Sequence, residues 1–162
     1  MNAVVSHENE LLLNTVQCFL KDEIYPHEDA VDRSGEVPLE LGRQIEARAK
    51  EVGLFAANLP EAVGGGGLNY TSSSIVEREY GKTTHALQSW IARPTELLLA
   101  CEGDQVARYL DPCVTGEKRE LFALTEPEAG SDVMGMKTNA KRDGRDWILN
   151  GSKTYISNGI NG

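Results

Sequence analysis

Phe122-Ala123-Leu124-Thr125-Glu126-Pro127-Glu128-Ala129-Gly130-Ser131-Asp132 stands where the texture of this chain changes. Upstream, apolar residues recur at helical spacing. Downstream, short extended runs alternate with turn signals. Leu121 to Leu124 reads as a strand. Lys137 to Lys141 and Asp146 to Leu149 flank Asp143-Gly144, a hairpin signal, because Asp-Gly readily adopts the left-handed dihedrals of a tight β-turn. Asn150-Gly151 is a second turn, Lys153 to Ser157 a further strand, and Asn158-Gly159 a third turn. The order of elements is therefore helices over residues 1–120, then strands over 121–162, which is an α+β chain. A sheet of three or four short strands is weak without a partner face. The chain is thus expected to be a fragment, or to have its sheet completed by another polypeptide.

Working upstream, residues 6–25 read as a helix with Val16, Phe19, Leu20 and Ile24 on one side, ended by Pro26. Residues 27–36 are polar and read as a loop. Pro38 suits a first helical turn. Leu41, Ile45, Ala49 and Val52 carry a stripe to Gly53, a plausible C-cap. Leu59-Pro60-Glu61-Ala62-Val63 followed by Gly64 to Gly67 is a loop. Its glycine run reads either as a tight connection or as the wall of a ligand cleft, and it lacks the Gly-Lys-Ser/Thr of a phosphate loop. Thr71 to Ser74 offer N-caps for a helix through Lys82. A further helix is expected over about Thr84 to Ala100, bent near Pro94, and a short one over Gln105 to Leu110, before Pro112.

Composition narrows the function classes. Of 162 residues 40% are hydrophobic and 25% charged, as in a chain with a core and a hydrated surface. No apolar run approaches the roughly 20 residues of a membrane span, and the N-terminus has neither a secretory signal nor the Arg-rich pattern of a transit peptide. A cytosolic protein is expected, or a matrix protein if it is a trimmed mitochondrial one. The net charge of −9 lies in residues 1–121, with 11 basic and 20 acidic side chains; residues 122–162 hold five of each. Such acidity repels phosphate backbones, so nucleic acid is not an expected partner, nor is a membrane. Cys18, Cys101 and Cys113 form no C-x-x-C pair and read as small buried hydrophobes. His7, His27 and His85 are scattered, and no metal site is expected.

The quoted stretch itself carries chemistry. A strand ends in a hydroxyl residue and turns through Gly-Ser-Asp, where free backbone N–H groups and the Ser131 hydroxyl can converge on an anion and Gly130 permits close approach. On the residues alone this is an anion loop or an ordinary β-turn. The stretch resembles the Thr-Glu-Pro-x-x-Gly-Ser-Asp signature of the acyl-CoA dehydrogenases. A second block of that family resembles Asn150-Gly151-Ser152-Lys153-Thr154-Tyr155-Ile156-Ser157-Asn158-Gly159. Leu59-Pro60-Glu61, and Arg108-Tyr109-Leu110 ahead of Gly116-Glu117-Lys118, look like landmarks of its helical domain.

The resemblance implies an N-terminal helical bundle (1–120) followed by the beginning of a β-barrel-like, flavin-binding middle domain (121–162). The C-terminal helical domain is not matched. It implies FAD as cofactor. Phe122 and Leu124 would approach the isoalloxazine ring, and Thr125 would bond its pyrimidine edge. Gly130 and Ser131 would meet the pyrophosphate. Tyr155, where the family often has Trp, would cover a ring face, unless it is simple strand packing. Ser157, where the family often has Thr, would place a hydroxyl near flavin N5. Gln88 and Ile91 would face the acyl chain, or else be plain helix core or surface. The implied reaction is α,β-dehydrogenation of an acyl-CoA thioester, with loss of an α-proton and passage of the β-hydrogen as hydride to the flavin. The base in the family is a Glu of the C-terminal domain. Glu126 is a structural residue of the motif and Glu128 sits at a variable position, so no catalytic residue is expected among these 162. An electron-transfer flavoprotein is the implied electron acceptor, and homo-oligomers are implied for the whole protein. Two other readings stand beside this one: an acyl-CoA oxidase or flavin monooxygenase of the same superfamily, and a non-catalytic helical module that binds a partner subunit.

Overall fold

The computed structural model describes residues 6–157 and 159. The backbone divides into two compact units, one ending at Glu117 and one beginning at Lys118. Each is described by itself.

The first unit is helical. α1 spans His7–Phe19, with the Ser6 side chain accepting from the Asn9 amide at its start. A π-turn follows at Leu20–Ile24, in which the Tyr25 amide reaches back to the Leu20 carbonyl, and α2 runs over Tyr25–Ser34. The expected stop at Pro26 and the expected loop over 27–36 are therefore corrected. A proline in the first helical turn loses no hydrogen bond, because the N–H it lacks has no partner there. The π-turn absorbs one extra residue, so α2 starts afresh and ends at Gly35, whose φ is +73°. In that polar segment only Val31 is buried, and the polar composition is simply an exposed helix face.

α3 spans Leu39–Glu51 after Pro38, and the chain turns at Gly53 in the left-handed region. α4 spans Tyr70–Tyr80; its N-cap is Asn69, whose side chain accepts from the Ser72 amide at 3.0 Å, so the expected cap within Thr71–Ser74 lies too late. The long helix expected over 84–100 is also corrected. Only α5, His85–Gln88, and a 3₁₀ turn at Glu96–Ala100 form. Pro94 supplies no N–H, and the Ala92 carbonyl accepts from Ala56 at 2.9 Å instead of from its own helix. A second π-turn, Val106–Leu110, leads into α6, Asp111–Thr115, with Pro112 again in the first turn.

Val16, Phe19, Leu20, Ile24, Ile45, Ala49, Leu54, Leu59, Val76, Tyr80 and Leu87 make one core. The Ser72 hydroxyl and Asn9 Oδ1 (2.7 Å) and Gln17 Nε2 and Glu79 Oε2 (3.2 Å) join α1 to α4. Gln17, Arg78 and Lys82 all donate to Glu79, which is 1% exposed; these donors, Lys82 foremost, lower its pKa. Two of the glycines show how the run at 64–67 works. A Cβ on Gly65 would meet the Leu59 carbonyl oxygen at 2.2 Å, and one on Gly66 the Ala57 Cα at 2.8 Å. The run is a close backbone crossing, in line with the tight-connection reading. Of the cysteines, Cys113 is buried as expected, but Cys18 is exposed, lying on the outer face of α1 beside the buried Val16 and Phe19.

Gly42 on α3 lies against the Trp90 indole, where an added Cβ would stand 2.1 Å from a ring carbon. Alanine is the better helix former by about 1 kcal/mol. Here overpacking outweighs that gain, so Gly42→Ala should cost about 1–3 kcal/mol net of relaxation. Thermal unfolding checks this; an unchanged or raised Tm contradicts the packing.

In the second unit, β1 (Asn139–Asp143) and β2 (Asp146–Asn150) form an antiparallel hairpin with Asp143 paired to Asp146 across Gly144. The hairpin at Asp143-Gly144 is as expected. Leu121–Leu124 and Lys153–Ser157 are not strands: among the described residues neither takes part in a ladder, and Tyr155 has φ +55°. The class is α+β, with a two-stranded sheet.

Candidate functional site

The centre of the second unit is Glu126. Its amide donates to the Ala129 carbonyl at 3.0 Å, and the Ala129 amide donates back at 3.2 Å, closing a tight turn over Pro127-Glu128. Its carboxylate is buried, 7% exposed for the residue. It accepts from the Lys137 amide at 2.7 Å, the Thr138 amide at 2.9 Å and Lys153 Nζ at 3.0 Å. Bonds from Thr138, the Lys137 amide and Lys153 favour the charged form and hold this carboxyl down at about 2. Lys153 spends its other donors on the Leu124 carbonyl at 2.7 Å and on Met136 Sδ at 3.4 Å. The Thr154 amide donates to the Thr125 carbonyl at 2.9 Å.

The clamp therefore joins three pieces of chain: the quoted stretch, the entry to β1, and the block after β2. Leu124 and Thr125 are half-buried at this junction. The other expected site residues stand outward. Gly130 and Ser131 are exposed at the turn, Phe122 is 59% exposed, Tyr155 is 93% exposed, and Ser157 is exposed. A Cβ on Gly130 would meet nothing within 4 Å. A tyrosine in the left-handed region costs of order 1–3 kcal/mol, so the unit holds this ring toward solvent against its backbone preference. Gln88 and Ile91 belong to the first unit. Gln88 is half-buried and accepts from Arg93 Nη2 at 3.3 Å; Ile91 is 1% exposed within the core.

Reading the sequence alone missed Lys153 and Thr138 as partners of Glu126. Main-chain donors have no signature in a sequence, and a lysine in a polar run looks like surface. No group of His, Cys, Asp and Glu fit for a metal occurs among the described residues, and none of their helices is long and apolar enough to cross a membrane.

Exposed rings and hydroxyls, mounted on a buried polar clamp and following a helical unit, define a two-part α+β protein. The chain belongs to the acyl-CoA dehydrogenase family. The family model described as acyl-CoA dehydrogenase, N-terminal domain, matches residues 6–117, and that for the middle domain matches 121–161. The chain is 36% identical over 161 residues to the mitochondrial long-chain specific acyl-CoA dehydrogenase of Sus scrofa, covering 96% of this chain and 36% of that protein. It is 34% identical to caffeyl-CoA reductase-Etf complex subunit CarC of Acetobacterium woodii, covering 94% of this chain and 41% of the relative. Among solved structures, a glutaryl-CoA dehydrogenase from Mycobacterium smegmatis in complex with FADH2 superposes with a TM-score of 0.80 at 27% identity, covering 96% of this chain and 40% of that one. The chain thus spans well under half the length of these relatives.

Proposed function

We propose that these residues form the helical domain and the first flavin-contacting part of the middle domain of an FAD-dependent acyl-CoA dehydrogenase. The observation that carries this reading is the Glu126–Lys153 clamp. It brings the two family blocks together while leaving Phe122, Tyr155, Ser131 and Ser157 outward. The donor set suits FAD: aromatic and aliphatic faces for a flat ring, a bare Gly130 and a hydroxyl for a pyrophosphate. Ser131 binds the pyrophosphate and Thr125 the pyrimidine edge. Phe122, Leu124 and Tyr155 cover the ring, and Ser157 donates near N5. Bound FAD supplies the hydride acceptor. The substrate is an acyl-CoA thioester, and of the two residues assigned to the acyl chain, Gln88 has surface to offer while Ile91 shapes the wall from within the core. The α-proton base lies outside these residues.

The whole protein works as a homo-oligomer in fatty acid metabolism. It resides in the cytosol, or in the matrix if mitochondrial, and it passes electrons to an electron-transfer flavoprotein. The Etf named with CarC supports that partner. A second reading is favoured by two relatives named as reductases, CarC and a 3-(aryl)acrylate reductase of Clostridium sporogenes at 32% identity: the same site run toward reduction of an unsaturated acyl thioester.

The test is anaerobic mixing of the whole FAD-bound protein with saturated acyl-CoA thioesters. Bleaching of the flavin band, reversed by electron-transfer flavoprotein, is the expected result. Reoxidation by oxygen with peroxide release would indicate an oxidase. No bleaching by a saturated thioester, together with reoxidation of dithionite-reduced flavin by an enoyl thioester, would indicate a reductase. Absence of bound FAD would overturn the proposal. Residues 1–162 produced alone should purify colourless and reduce no dye with any acyl-CoA. Turnover above the free-flavin background would place a base among them.

A further inference from the structure

Arg93-Pro94 breaks the helix expected over 84–100, and its arginine takes no part in the flavin reading. The guanidinium lies over the Tyr80 ring, 5.0 Å from its centroid, and Nη2 donates to Gln88 Oε1 at 3.3 Å. Nη1 stands 3.3 Å from Glu77 Oε1, yet is buried and makes no aligned hydrogen bond. Two further buried atoms of this helical unit share that condition, the Tyr80 hydroxyl and Asn58 Oδ1; Thr138 Oγ1 does so in the second unit. The Asn58 amide is oriented by its Nδ2, which donates to the Pro94 carbonyl at 2.8 Å and leaves Oδ1 as the free acceptor. Asn58, Tyr80, Arg93 and Glu77 all line one cavity of about 20 Å³.

We infer that this cavity holds a single ordered water molecule, bonded to Arg93 Nη1, the Tyr80 hydroxyl and Asn58 Oδ1. The chemistry selects water over other small ligands. Two donors, from arginine and tyrosine, meet both lone pairs of a water oxygen. The one acceptor, Asn58 Oδ1, takes one of its hydrogens, and Glu77 lies on the same cavity for the other. An anion would satisfy the donors but face the Asn58 oxygen and the Glu77 carboxylate. Size agrees: a water needs roughly 10–15 Å³ of such space and two to four polar partners, whereas a carboxylate needs several times more. Burial raises the Tyr80 pKa, so its hydroxyl stays a donor. Unpartnered, each of these groups would carry a desolvation cost that proteins rarely leave standing.

The water ties three separate stretches together: the turn at Asn58 ahead of the glycine crossing, α4 through Tyr80, and the helix-breaking Arg93-Pro94. It gives Arg93 a structural task that the sequence does not disclose. The experiment is a crystal structure of the whole protein at a resolution that shows waters, alongside one of Tyr80→Phe. The wild type should show one density peak within hydrogen-bonding distance of all three atoms. In Tyr80→Phe, which removes only the hydroxyl, that peak should vanish or lose most of its occupancy. An empty wild-type cavity would overturn the inference. So would a direct bond from the Tyr80 hydroxyl to a protein atom, a bromide peak there after a bromide soak, or a peak of unchanged occupancy in Tyr80→Phe. Should the variant fail to fold, the wild-type map alone decides.

Discussion

Glu126→Ala should abolish stable FAD retention by the whole protein and free the Lys137 and Thr138 amides to exchange at least about tenfold faster. The carboxylate is the common acceptor for two amides and an ammonium drawn from segments up to 27 residues apart. Alanine leaves all three donors without their anion, and the ammonium still held at the Leu124 carbonyl. The turn that presents Ser131 then loses its anchor, although the hairpin ladder β1–β2 does not depend on it. The acid limb carries a matching expectation. The folded carboxyl titrates at about 2 against an ordinary 4.5, so its stabilising contribution is fully present above pH 4.5. That contribution fades as pH falls toward 2. Following the Thr138 amide resonance from pH 5 downward should show the anchor lost late, well below 4.5. A midpoint near 4.5, or an Ala variant that keeps its flavin and its slow amides, would contradict the clamp.

Ser131→Ala is the cleaner test of ligand contact. Ser131 is exposed, so the substitution should leave the Tm of the FAD-free protein unchanged. If its hydroxyl bonds the pyrophosphate, the loss is roughly 1.5–3 kcal/mol for a charged acceptor. FAD affinity should then weaken about tenfold to a hundredfold, at 1.4 kcal/mol per factor of ten. Fluorescence-quenching titration of the two whole proteins measures this. Equal dissociation constants would withdraw Ser131 from the pyrophosphate.

Where sequence succeeded and where it fell short has a common physical root. The α+β class was legible because helical and extended periodicity differ over many residues, and Asp143-Gly144 announced its hairpin through backbone chemistry that few other residues share. Prolines misled. Pro26 and Pro112 read as stops, but each opens a helix, and a proline alone does not say on which side of it the helix lies. Extended-looking runs misled as well. Leu121–Leu124 and Lys153–Ser157 have strand composition, but a strand is made by its partner, and the Thr154 amide bond to the Thr125 carbonyl does not extend into a ladder. In the candidate site, Phe122, Ser131, Tyr155 and Ser157 stood out only as letters of a family motif, and the sequence did not say that they would be exposed. The anchor beneath them was not legible, because two of its three donors are main-chain amides. Nor did composition foretell that Tyr155 would sit at φ +55°.

The most direct measurement is the crystal structure of the whole protein with FAD bound. The pyrophosphate should lie at Ser131 Oγ, the flavin edge at Thr125, and the Tyr155 ring against the isoalloxazine, with the Glu126–Lys153 pair intact underneath. FAD bound elsewhere, with Ser131 and Tyr155 still facing solvent, would contradict this placement.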